Sequence, residues 1–266
     1  MVGGTASLLS DARVRLAAAT EVTSRGSRAL GVGALLAALA IYGAVARHLP
    51  GLPSALEPVF YVVFVLPAFA GAVWLALPLA RAQARSLLAL TAIAGALALV
   101  FVVVDVEAAA SVAKLACYAL AGFAFLSLFE ELWWLTLVAL LVPWVDIWSV
   151  AAGPTEYVVE ERPGIFEAVA VTFPTPGDSA AVGVGPPDIL FFALFLATAA
   201  RFGLRVAATW AAMSALLGAT LLLVWKWDDL PGLPALPAVC LGFLVANAAL
   251  LWRDLRRLLA RPSGGG

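Results

Sequence analysis

The sequence predicts an all-α protein, a polytopic transmembrane helical bundle of about eight spans, and three observations predict it. Hydrophobic residues make up 64% of the 266 and charged residues only 12%, against roughly 45–50% and about 25% in soluble domains. Mean hydropathy is +1.02, so a water-soluble core would leave much apolar surface uncovered. Eight apolar runs approach the roughly 20 residues that a helix needs to cross a bilayer. Arginines gather beside every second inter-helix segment, the pattern expected of cytoplasmic loops.

The elements follow in order. Residues 1–28 form an N-terminal segment in which Leu8, Leu9, Val14 and Leu16 mix with Asp11, Arg13 and Arg15. That mixture suits either a helix lying on the membrane surface or a disordered lead. The first apolar run begins only near Ala29, later than a secretory signal would place it, and reads as a retained helix. Runs at 29–46, 56–80, 87–104 and 108–129 make an N-terminal group of spans, 29–129. A second group, 130–252, holds runs at 131–152, 183–202, 206–225 and 233–252, and 253–266 is a tail ending in low-complexity Pro262 to Gly266.

The sixth run is short because Arg201 ends it, and Gly183, Gly185, Pro186 and Pro187 make its first turn irregular. Non-helical backbone at membrane depth is tolerated only under a cover of protein or water, which predicts that this start faces the bundle interior. The long segment 153–182 carries Glu156, Glu160, Glu161, Glu167 and Asp178 against a lone Arg162. Within it, Tyr157-Val158-Val159 and Ala168-Val169-Ala170-Val171 are expected to pair as a hairpin around Pro163-Gly164.

Orientation follows from the basic residues. Arg13, Arg15, Arg25 and Arg28 precede the first span, Arg81 and Arg85 follow the second, Arg201 and Arg205 follow the sixth, and Arg253, Arg256, Arg257 and Arg261 follow the eighth. With eight spans all of these lie on one side, which predicts both termini in the cytoplasm. Arg greatly outnumbers Lys and Ala is abundant, so the expected location is a prokaryotic plasma membrane. A net charge of −1 with no basic block leaves nucleic acid without a surface to bind.

Ionisable groups inside spans cost about +2.5–3.5 kcal/mol at the helix centre and ask for a reason. Asp146 lies in Val142-Pro143-Trp144-Val145-Asp146-Ile147-Trp148, near the outer end of the fifth run. Asp188 follows Pro186-Pro187 near the outer end of the sixth. The fifth run heads outward and the sixth inward, so the two carboxylates come at comparable depth. If their helices are neighbours, the pair can share a proton, one member deprotonating a water while the other donates to a carbonyl. The other reading of the same residues is interfacial carboxylates in contact with water or helix ends.

The last run opens with Leu233-Pro234-Ala235-Leu236-Pro237-Ala238-Val239-Cys240 on that same outer side. Its prolines remove backbone donors, and such a start can line a site and offer partners to an extended peptide.

These residues resemble the presenilin and signal peptide peptidase family of intramembrane aspartyl proteases, marked by a (Y)D helix, a GxGD helix and a PAL motif. Val145-Asp146-Ile147-Trp148-Ser149-Val150 is similar to the first, Gly183-Val184-Gly185 with Asp188-Ile189-Leu190-Phe191-Phe192 to the second, and Pro234-Ala235-Leu236 matches the third. The resemblance spans roughly 130–252. Val145 stands where the family usually has Tyr, and Pro186-Pro187 separates Gly185 from Asp188. The resemblance implies a presenilin-like bundle in which Asp146 and Asp188 are catalytic. It further implies that Gly183, Gly185, Pro234, Ala235 and Leu236 bind substrate, that transmembrane segments or signal-peptide remnants are cut, and that the bilayer is the working medium. No metal or organic cofactor is implied. Eight spans, with the site outside and the C-terminus inside, match the signal peptide peptidase orientation without its first helix.

Two alternatives stay open: a proton- or cation-coupled transporter or channel that uses the same aspartates, and an inert relative of the protease fold. His48 is the only histidine, which excludes a Ser–His dyad and an H-E-x-x-H zinc site. Cys117 and Cys240 read as packing residues, and Asn247 as an interhelical hydrogen bond. Lys114 is expected to snorkel or to pair with Asp105 or Glu107. Trp133, Trp134, Trp225, Trp227 and Trp252 are expected at the membrane interfaces.

Overall fold

An apolar run in lipid has to satisfy its own backbone, and within a single segment the helix does so. In the computed structural model, which describes residues 26–152, 168–177, 181–226 and 235–260, the predicted runs fold as helices. They are α1 (Gly26–His48), α2 (Ser54–Arg81), α3 (Ala84–Val103), α4 (Glu107–Leu126), α5 (Leu132–Ala152), α6 (Pro186–Arg201), α7 (Val206–Lys226) and α8 (Leu236–Leu259). Among the described residues seven of them, all but α6, are long and apolar enough to cross a membrane, which makes this a multi-pass membrane protein.

Local irregularities trace to prolines. In α2 the stretch Tyr61–Val65 winds as a π-turn, just before Pro67, which has no N–H to give the preceding turn. In α5, Pro143 sits inside the helix and leaves the Ala139 carbonyl without its usual donor, one turn before Asp146. At α6, Gly185 is the N-cap and Pro186 and Pro187 fill the first two positions, where a missing N–H costs nothing and the ring's fixed φ already suits a helix.

The sixth run is shorter than predicted. Gly183 and Val184 are not its first turn but part of a strand, because the prolines behind them can neither extend a ladder nor sit deeper in a helix. What remains is a helix of 16 residues, about 24 Å long at 1.5 Å per residue, against a hydrocarbon core of about 30 Å.

That short helix is the centre of the bundle. Phe192, Ala193, Leu194, Phe195, Leu196 and Ala199 have no exposed surface, the all-round burial of a core helix. It packs most extensively on α4 and also on α8 and α7, while α7 pairs with α8 and α3 with α4. Gly122 makes the α4–α6 approach possible, since a Cβ there would lie 2.4 Å from the Leu190 carbonyl oxygen. Gly242 plays the same part between α8 and α7, where a Cβ would lie 2.7 Å from the Met213 backbone. Phe195 and Phe243 stack with centroids 4.7 Å apart, tying α6 to α8. Exposed Leu88, Ile93 and Leu99 on α3, and Trp144 and Trp148 on α5, leave apolar faces turned outward, as lipid-facing helices require.

Two short strands, β1 (Val171–Pro174) and β2 (Ala181–Val184), pair antiparallel with Val171 opposite Val184 and Pro174 opposite Ala181. This corrects the expected hairpin: Ala168 and Val169 are helical, and Val171 takes its partner from the C-terminal side. Tyr157-Val158-Val159 and Pro163-Gly164 lie outside the described residues. Buried Phe173 and Val184 give β1 and β2 an inward face, which decides the pairing in favour of residues that reach the core.

Side chains from the bundle hold this hairpin. Tyr42 Oη donates to the Pro174 carbonyl at 2.5 Å, Tyr118 Oη to Val169 at 2.7 Å, and Lys114 Nζ to Ala170 at 3.0 Å. The Gly177 N–H donates to Ala46 at 2.8 Å, with Gly177 at φ +78° packed against Gly51. Lys114 therefore does not snorkel as expected. It is buried with Nζ on a backbone carbonyl, and Glu107, whose ion pair is with Arg47, also acts on its charge, in line with the expected pairing. Asn247 is the expected interhelical bond: its Nδ2 donates to Thr209 Oγ1 at 2.7 Å, and its Oδ1 accepts the Arg205 N–H at 3.0 Å. Trp134 and Trp225 are exposed near the ends of α5 and α7, Trp133 beside Trp134 is half-buried, and Trp252 is exposed two turns before the end of α8; Trp227 lies outside the described residues.

Candidate active site

Asp146 stands on α5 three residues after Pro143, half-buried among exposed Trp144, Val145, Ile147 and Trp148. Its Oδ2 accepts the backbone N–H of Leu236 at 3.2 Å. Leu236 is the first residue of α8, and its N-cap, Ala235, offers no side-chain acceptor. A helix start leaves its first N–H groups without internal partners, and Asp146 caps α8 from another helix.

Asp188 occupies the third position of α6 and is half-buried. From there its carboxylate reaches back and accepts the Gly185 N–H, the reciprocal half of a capping box. Gly185 is in close contact with it: a Cβ at 185 would lie 3.0 Å from Asp188 Oδ2. The two prolines between Gly185 and Asp188 thus occupy the first turn and put the carboxylate at its end, rather than displacing the aspartate from the helix.

The two carboxyl groups lie close enough to interact electrostatically, and both also act on the Cys240 thiol. Cys240 has no exposed surface and lies one turn into α8 beyond Leu236. Helix α8 packs extensively on α5 and also on α6, whereas α5 and α6 touch each other little. Helix α8 is accordingly the element that bridges the two aspartate-bearing helices, its start bonded to Asp146 and its Phe243 stacked on Phe195 of α6.

Of the residues expected at the site, Asp146, Asp188, Gly185, Ala235 and Leu236 converge around this helix start. Gly183 lies in β2 opposite Thr172, two residues before Gly185. Pro234 lies outside the described residues. Cys240, read from sequence as packing, is an addition to the cluster. The available signal was its spacing of four from Leu236, which sets the two on one helix face. Among the described residues no cluster of three His, Cys, Asp or Glu side chains has the arrangement of a metal site. Comparison with protein-family models, with curated proteins and with solved structures returns no match.

Proposed function

We propose that this chain is an intramembrane aspartyl protease that cleaves transmembrane segments or signal-peptide remnants, with Asp146 and Asp188 activating a water. The observation that carries the reading is the Leu236 N–H to Asp146 Oδ2 bond, which seats the start of α8 against one carboxylate with the other in electrostatic range. The sequence resemblance to the presenilin and signal peptide peptidase family adds to this reading through the same residues.

In the proposed reaction the pair holds one proton. The ionised carboxylate takes a proton from water as its oxygen attacks the scissile carbonyl carbon, and the protonated partner donates to the carbonyl oxygen. Collapse of the tetrahedral intermediate breaks the C–N bond: the leaving nitrogen takes the proton that the first carboxylate gained, and a hydroxyl of the intermediate returns its proton to the second carboxylate as the product carboxyl group forms, restoring the shared proton. A transmembrane helix hides its carbonyls in its own hydrogen bonds, so the substrate unwinds first. Ala235 and Leu236 flank the unwound segment. Strand β2, with Gly183, offers an edge on which an extended segment can add. The working site is the outer half of a prokaryotic plasma membrane with both termini cytoplasmic.

The test is reconstitution of the full chain in proteoliposomes with a transmembrane peptide of weak helix propensity, products being read by mass spectrometry. Cleavage by wild type and its loss in both Asp146→Asn and Asp188→Asn is the expected result. An uncut substrate panel, or cutting that survives either change, removes the proposal. Aspartate-dependent proton or cation flux in the same vesicles would then favour the transporter.

A further inference from the structure

A second feature lies at the opposite end of α6 from Asp188. A cavity of about 390 Å³ opens where the C-terminal ends of α2, α4 and α6 meet the start of α3. Its walls are apolar, with Leu77, Leu87, Phe123 and Leu126 among them, and it carries two arginines, Arg81 and Arg201, with no acidic side chain in its lining. Ligand cavities typically occupy roughly 300–1,000 Å³, so the size suits part of a lipid.

The ends of α4 and α6 are level here, since Arg201 closes α6 beside Leu126, the last residue of α4. Three helix C-termini point their carbonyls here, which by itself opposes an anion. Arg201 answers part of that, donating from Nη1 to the Leu126 carbonyl at 3.0 Å, with its guanidinium 5.4 Å from the Phe202 ring centroid. One bond uses one of the five N–H donors of a guanidinium. Arg81 stands exposed on the other wall.

Two cations above an apolar floor, one of them held by the Leu126 carbonyl and both on the arginine-rich side of the membrane, match the chemistry of a phospholipid: phosphate on the guanidiniums, acyl chain on the leucines. We infer that this cavity is a binding site for an anionic phospholipid, with Arg81 and Arg201 holding its phosphate and Leu77, Leu87, Phe123 and Leu126 receiving its upper acyl chain.

The test uses the purified, delipidated full chain in mild detergent, titrated separately with phosphatidylglycerol, phosphatidylcholine and inorganic phosphate. Native mass spectrometry and thermal unfolding are the readouts. Phosphatidylglycerol is expected to remain bound one to one and to raise the melting temperature, and neither other probe should do so. Arg81→Gln, which breaks no side-chain hydrogen bond among the described residues, is expected to weaken phosphatidylglycerol about tenfold, the effect of losing one charge-assisted contact. Arg201→Gln should do the same with some loss of basal stability from the Leu126 bond. Equal binding of the two lipids, or unchanged binding in Arg81→Gln, overturns the inference. So does inorganic phosphate that binds alone or displaces the lipid headgroup, since the site would then be one for free anions.

Discussion

Leu236 and Asp146, 90 residues apart in the chain, are joined by a hydrogen bond of 3.2 Å from the backbone N–H of one to the carboxylate of the other. The bond gives the carboxylate two tasks. It satisfies a donor at the start of α8, and it holds Asp146 in the neighbourhood of Asp188. A stability effect and a catalytic effect of changing Asp146 can therefore be separated by the choice of replacement.

Asp146→Asn retains an oxygen acceptor for the Leu236 N–H, and its melting temperature should stay near that of wild type. Asp146→Leu leaves that donor unpaired and should lose about 1–2 kcal/mol. Both variants should lose roughly 10²–10⁴-fold in cleavage rate, the range for an acid–base group. Thermal unfolding and peptide cleavage measured together decide this. A stable but fully active Asp146→Leu would contradict both assignments.

Gly185→Ala places a methyl group 3.0 Å from Asp188 Oδ2. The carboxylate is a movable end, so the fold should tolerate the change with a loss under about 1 kcal/mol. Catalysis should fall about 10–100-fold, because displacements of around an ångström at a reacting group have that effect. Unaltered kinetics would mean that the present position of Asp188 is not the working one.

Gly122→Val drives side-chain carbon into the Leu190 carbonyl and Ala193 on α6. Overpacking of this kind costs about 1–3 kcal/mol or more, and small residues at helix interfaces are what allows close packing in membranes. The expected result is a lowered melting temperature or failure to accumulate. Gly33→Val on α1, where an added Cβ meets nothing within 4 Å, is the control and should be close to neutral.

Lys114→Met removes the donor to the buried Ala170 carbonyl ahead of β1. The unpaired carbonyl should cost about 1–3 kcal/mol and loosen the hairpin, read as faster amide exchange at Thr172 and Val184. Exchange equal to wild type would show that Tyr42 and Tyr118 hold the strand without it.

Much of the site was legible before the fold. Asp146 and Asp188 stood out because a carboxylate in an apolar helix is costly anywhere along it, whatever its neighbours. Pro186 and Pro187 were legible as an irregularity but not as its outcome. Whether they interrupt a helix, extend a loop or begin a helix depends on where Val184 pairs, and that pairing is not local. Cys240 is the buried packing residue expected, and Lys114 has Glu107 as its expected electrostatic partner. What was not legible is the Ala170 carbonyl that Lys114 bonds and the two aspartates near Cys240, since each is brought up by another element.

By itself the sequence determined that this chain crosses a membrane many times, which two carboxylates are out of place, and where the helices lie to within a few residues, except that α8 runs to Leu259, past the predicted 252 and into the expected tail. Those properties are local, because a helix closes its hydrogen bonds within four residues and hydrophobicity adds along a run. Tertiary structure alone decided that α6 is a short central helix and that β1 pairs with β2. It decided too that Asp146 caps α8, and that Arg81 and Arg201 share a cavity. Each of these is a contact between distant segments, set by which apolar faces and unpaired backbone groups find one another as the bundle packs.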